Sequence, residues 1–165
     1  MSGLNESVII GAPAERVFAW VDDIDNLGGH MVDRASMPMM GCALSLTVVT
    51  LQRTGVGATY RYTGSVLGFS LDFSESVTTY VPGREKVWRT IGTPRLVIID
   101  AYEMRVLVES LSAASSRLTI GIAYTLPRQW ARRMAGRLLA RPYARWCLRS
   151  MSRDASRAFH ERRAA

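Results

Sequence analysis

The chain has 165 residues, 48% of them apolar and 21% charged, and a net charge of +7. That is one domain's length (1–165), apolar enough to enclose a core and to exclude intrinsic disorder. No apolar run reaches the roughly 20 residues of a membrane span, and the opening MSGLNESVII lacks a secretory pattern, so a cytoplasmic location is expected, with Cys42 and Cys147 as free thiols.

Residues 6–11 form a short β-rich run, followed by Ala12, Pro13, Ala14 and Glu15. Proline at a first helical position with a carboxylate two residues later is a start signal. Val17, Trp20, Val21 and Ile24 then recur at helical spacing, giving about three turns, and Asp22, Asp23 and Asp25 end that helix or open a second short one. Residues 27–42 lose all periodicity. Two adjacent glycines, Pro38 and the methionines Met31, Met37, Met39 and Met40 make a greasy loop that is either a plug for one end of the core or a lid over a cavity.

Six runs rich in Val, Ile, Thr, Tyr and Phe follow, at 43–53, 58–67, 70–81, 85–92, 96–109 and 116–126. They are separated by turn signals such as Thr54-Gly55-Val56-Gly57, Pro82-Gly83-Arg84 and Thr93-Pro94. Connections this short cannot make parallel crossovers, so the expected sheet is an antiparallel meander of seven strands, the first run included.

The remainder, 127–161, is rich in Leu, Met, Ala and Arg and predicts helix. Trp130, Ala131, Met134, Ala135 and Leu138 share one side. Cys147, Leu148, Met151, Ala155, Ala158 and Phe159 share another, rotated by roughly a third of a turn at the helical period. One straight helix cannot bury both sets, and Pro142 stands between them. Two helices, or one sharply kinked helix, are therefore expected, with a break near Pro142 and the piece 142–161 laid across the sheet. Arg145, Arg149, Arg153 and Arg157 recur every fourth residue on its other side.

Eleven of the 21 basic residues lie from Arg128 onward, while residues 1–127 are nearly balanced. A solvated helix face accounts for such a run. The functional alternatives are an anionic membrane surface or an acidic partner. Nucleic acid is not expected, because the body carries no second basic element and no reading motif. Oligomeric state is not legible.

The opening VIIGAPAERVFAWVDDIDNL, the hairpin VTTYVPGREKVWRT and the closing strand SSRLTIGIAYTLP together resemble the START-like superfamily, also called SRPBCC, which includes polyketide cyclases and lipid-transfer proteins. The family's usual tryptophan in the acidic turn after the first helix is replaced here by Leu27-Gly28-Gly29-His30. The resemblance implies an α+β helix-grip fold: a curved seven-stranded antiparallel sheet wrapped around a C-terminal helix, with an apolar cavity between them and no shared catalytic set.

Strand alternation predicts which side chains would line such a cavity. In 96–109 the inner face carries Ile98, Asp100, Tyr102, Met104, Val106 and Val108. Elsewhere the inner set includes Tyr60, Tyr62 and Val66, Phe73 and Val77, Trp88 and Thr90, and Leu118, Ile120, Ile122 and Tyr124. Tyr60, Tyr62, Phe73, Trp88, Met104 and Tyr124, with Cys147 and Met151 from the helix, are thus the candidate ligand-binding residues. They would serve equally as a filled core.

Asp100, Tyr102 and His30 are the candidate acid–base groups, although Asp100 could as well end a strand or pair with Arg89 or Arg95. A serine triad, zinc-ligand spacing, a dinucleotide loop and a phosphate loop are all lacking, so neither metal nor cofactor is expected. Three functions remain: binding or transport of a small hydrophobic molecule such as a lipid or polyketide, a polyketide cyclase or dehydratase-like enzyme working in the same cavity, and a lipid carrier that docks on membranes through the cationic tail. The enzyme requires two or more polar side chains converging on one point of it.

Overall fold

The computed structural model describes residues 2–27, 43–66 and 68–161. Within them the order is β1 (Ser2–Ile10), α1 (Ala14–Asp22), α2 (Ile24–Leu27), β2 (Ala43–Val48), β3 (Thr59–Val66), β4 (Phe69–Val81), β5 (Glu85–Arg95), β6 (Tyr102–Ser112), β7 (Ser115–Tyr124) and a long helix α3 (Trp130–Glu161). The seven strands form one curved sheet in the order β1-β7-β6-β5-β4-β3-β2, antiparallel throughout. This is the helix-grip fold. Of the lid-or-plug stretch 27–42, Leu27 closes α2, and 28–42, His30 included, lie outside the described residues.

Alternation fixes the inner face. In β4 the buried positions are Leu71, Phe73, Glu75 and Val77, and in β6 they are Tyr102, Met104, Val106 and Val108. Pro82 and Gly83 make the turn into β5, with the Arg84 amide donating to the Val81 carbonyl at 3.0 Å and Gly83 at φ 73°, the left-handed position that glycine takes without strain. Pro13 caps α1 rather than opening it: its carbonyl accepts from the amides of Arg16 and Val17, both at 3.1 Å.

Two further expectations change. The run 96–109 is not one strand: β6 begins at Tyr102, and 96–101 is irregular. Leu96 and Ile99 are its buried residues, a spacing of three that a strand cannot bury on one face. The Asp100 amide donates to the Thr125 carbonyl at 2.9 Å, and the Asp100 residue is exposed.

The break near Pro142 also takes a different form. α3 runs continuously from Trp130 to Glu161 with Pro142 inside it, so the two-helix alternative is not realised. The phase shift that argued for it is real, but only the second apolar set is inside. Cys147, Leu148, Met151, Ala155 and Phe159 are buried, whereas Trp130, Met134 and Leu138 are exposed. The first half instead buries small residues, Gly136 and Ala140. A Cβ on Gly136 would stand 2.6 Å from the Ile98 carbonyl oxygen, so only glycine lets the helix approach that segment so closely. Pro142 is itself exposed; the Leu138 carbonyl it leaves without an amide donor can turn to water, and the helix tolerates it.

Candidate functional site

Between the sheet and α3 lies a narrow cleft lined by Ile24 and Leu27 of α2, Tyr62, Glu75, Trp88, Tyr102, Met104 and Ile122 from five strands, and Tyr143, Cys147 and Met151 of α3. Its volume is about 60 Å³. An apolar cavity of about 150 Å³ is what admits benzene, so a larger guest requires α2, α3 and the sheet to move apart.

Of the residues singled out from sequence, Tyr62, Trp88, Tyr102, Met104, Cys147 and Met151 lie on the cleft wall. Tyr60, Phe73 and Tyr124 are buried but stand behind it. The Tyr60 hydroxyl donates to the Arg53 carbonyl. Phe73 stacks on Tyr62 with ring centres 4.9 Å apart and meets Tyr102 edge-on at 6.1 Å, so it fixes two wall residues without lining the space. Asp100 faces solvent away from the wall, and its candidacy as a buried acid–base group is withdrawn because 96–101 is not a strand pointing it inward.

The acid that does reach the cleft is Glu75, 3% exposed. Its Oε1 accepts the Tyr102 hydroxyl, and its Oε2 has no hydrogen-bond partner among the described residues. Burial pushes this carboxyl up to about 7, a rise only partly offset by the Tyr102 hydroxyl, the Lys86 charge and the Trp88 indole N–H, which lies near the carboxyl but outside hydrogen-bond geometry. Burial and the Glu75 charge hold the Tyr102 phenol well above its ordinary value, and burial pushes the Cys147 thiol up to about 12. Near neutrality the cleft therefore presents the neutral Tyr102 phenol and the neutral Cys147 thiol beside one carboxyl poised between its two forms. Glu75 is carried on a part of β4 bounded by two register irregularities against β5, between Asp72 and Ser74 and between Val77 and Thr79, where a strand bends and a side chain can be re-aimed.

Beside the cleft, Lys86 is 2% exposed. Its ammonium donates to the Asp22 carbonyl at 2.8 Å and to the Asp22 carboxylate at 2.9 Å, and the Tyr80 hydroxyl takes the other carboxylate oxygen at 2.7 Å. The ammonium also lies over the rings of Tyr60 and Trp88, at 5.6 Å and 5.8 Å from their centres. This cluster ties the C-terminal end of α1 to β5 and thereby sets the start of α2, which supplies Ile24 and Leu27.

Sequence reasoning passed over both Glu75 and Lys86, yet the signal was available. Phe73 and Val77 share a face with residue 75, and Trp88 and Thr90 share one with residue 86. Truncating a wall residue next to an existing void is expected to enlarge it. Met151→Ala should destabilise the fold by about 2 kcal/mol, the low end for a buried methionine, read as a shift in the urea midpoint.

No family model and no curated protein matches the chain. Solved structures do. The chain is similar to TTHA0849 from Thermus thermophilus, with TM-score 0.66 and 16% identity over 95% of this chain and 99% of that one. It is also similar to norcoclaurine synthase from Thalictrum flavum in complex with dopamine and hydroxybenzaldehyde, with TM-score 0.65 and 15% identity over 97% and 87%. A third neighbour is the di-domain ARO/CYC protein BexL from the BE-7585A biosynthetic pathway, with TM-score 0.60 and 14% identity, where 95% of this chain covers 46% of the other. At such identities the likeness is one of fold, and it is the fold that the START-like resemblance implied.

Proposed function

We propose that the chain binds a small, mainly apolar molecule carrying one polar group, in the cleft between sheet and α3, with Glu75 meeting that polar group. The observation that carries this reading is the buried, half-unpaired Glu75 carboxyl at the wall of an otherwise apolar space. A carboxyl oxygen left unpartnered inside a core is unfavourable by about 1–3 kcal/mol, and a ligand hydroxyl, amine or enolisable carbonyl would satisfy it. Helix-grip neighbours support this choice of ligand class, since one of them is described with the small phenols dopamine and hydroxybenzaldehyde.

A second reading, a polyketide cyclase or dehydratase-like enzyme, is favoured by the pairing of Glu75 with Tyr102. A carboxyl near 7 can accept or release a proton at working pH, and the Tyr102 phenol, whose one proton goes to Glu75 at rest, can turn it to a developing oxyanion once a ligand meets the carboxyl. The two polar groups converge as that chemistry requires.

Native mass spectrometry of freshly purified protein, followed by extraction of copurifying small molecules, tests the binding reading. An apolar or phenolic guest is expected, and it should be lost or weakened in Glu75→Ala. Protein that carries no guest and shows no saturable uptake of phenolic or polyketone compounds would overturn it.

A further inference from the structure

The outward face of α3 carries a second feature that the cleft does not use. Trp130 is 81% exposed, Met134 48% and Leu138 72%. They follow one another at every fourth residue and so form one stripe. Arg141, Arg145 and Arg149 stand eleven residues, or about three turns, beyond Trp130, Met134 and Leu138 respectively. The same side of one helix is therefore apolar in its first half and cationic in its second. Arg133, Arg137, Arg141, Arg145 and Arg149 make no ion pair among the described residues, and no acidic residue occurs from 110 to 153. Alongside the cationic half, α3 and β1 enclose an open groove of about 890 Å³ whose walls include Arg141, Arg145, Arg149 and Arg153, with Glu6 as the acidic residue in it.

We infer that this face docks on an anionic lipid bilayer, with Trp130, Met134 and Leu138 entering the interfacial layer and the arginines beyond them meeting lipid phosphates. The inference is independent of what occupies the cleft. Charge complementarity selects this occupant. A second copy of the chain would bring the same unpaired arginines face to face, and a purely polar acidic partner would leave the tryptophan and leucine in water. A bilayer surface offers apolar depth and phosphate charge side by side, and arginines can lay their stems along the apolar layer while their heads stay at the phosphates.

Co-sedimentation with phosphatidylcholine vesicles containing about 30% phosphatidylserine tests this, with pure phosphatidylcholine vesicles as the control. Binding is expected to the anionic vesicles at ~0.1 M salt and to fall by about tenfold or more at ~0.5 M, where screening is stronger. Trp130→Ser with Leu138→Ser should weaken binding by about tenfold at low salt, and Arg141→Glu with Arg145→Glu should weaken it similarly while flattening its salt dependence. All four positions are exposed, so the thermal midpoint should stay near that of the parent, which shows that the losses are not unfolding. The proposal is overturned if the parent protein ignores anionic vesicles, or if both variants bind as it does. It is overturned equally if sedimentation velocity without lipid finds a self-associated species that Trp130→Ser with Leu138→Ser abolishes.

Discussion

Lys86→Met is expected to lower the stability of the fold by about 3–5 kcal/mol, the range for removing one partner of a buried ion pair. The size follows from what is left behind. Asp22 has a side chain only 11% exposed, and without the ammonium its carboxylate keeps the Tyr80 hydroxyl as its one side-chain donor among the described residues. The Asp22 carbonyl at the end of α1 loses its Lys86 donor as well. For a chain of this length the thermal midpoint should drop by on the order of 10 °C. A double variant, Lys86→Met with Asp22→Leu, should recover most of the loss, because a buried pair exchanged for apolar side chains of similar volume is often neutral or better. Equal instability of the single and double variants in urea titrations would show that Lys86 acts through its packing over Tyr60 and Trp88 instead. The consequence reaches the cleft, since Asp22 immediately precedes the turn into α2 and so places Ile24 and Leu27 on the wall.

Strands were legible in the middle of the sheet, but the expected 43–53 ends at Val48, and Thr93-Pro94, read as a turn, lies inside β5. The Pro82-Gly83 turn and the β4 and β5 segments beside it follow directly from residue type, and the expected 70–81 and 85–92 differ from β4 and β5 mainly at their ends. Residues 96–101 were misread because four consecutive apolar residues carry no periodicity, and a spacing of three between Leu96 and Ile99 looks the same as a strand until the packing is known. In α3, two apolar phases were correctly separated, but the inference that both must be buried assumed that large apolar residues always go inside. That rule runs one way only: Gly136 makes the close contact, where a larger side chain would not fit, Ala140 is buried beyond it, and Trp130 and Leu138 stay out. Glu75 and Lys86 are the same case from the other side: charged residues on an inner face that Phe73, Val77 and Trp88 define, where residue type alone points outward.

Glu75→Gln makes the strongest pH-dependent claim. The carboxyl lies near 4.5 when exposed and at about 7 in the fold, so between those values the folded protein binds more protons than the unfolded chain. By linkage, stability then falls as pH rises from about 4.5 to 7 and is level beyond, so the penalty is absent in acid and complete above neutrality. Glutamine removes the titrating group. The variant should match the parent near pH 4 and exceed it at pH 8 by on the order of 3 kcal/mol, measured as urea midpoints across the range; a constant difference at all pH values would remove Glu75 as the source. The same substitution separates the two readings of the cleft. If Glu75 only accepts a hydrogen bond, the amide oxygen can replace it, and affinity for a phenolic guest should change by less than about tenfold. If it carries a proton during reaction, turnover should fall by about 10²- to 10⁴-fold while binding persists, and the parent's rate should titrate with an apparent midpoint near 7. Tyr102→Phe removes the hydroxyl on Oε1 and so raises the carboxyl further. An upward shift of that midpoint in Tyr102→Phe would tie the titration to this pair rather than to any other group on the chain.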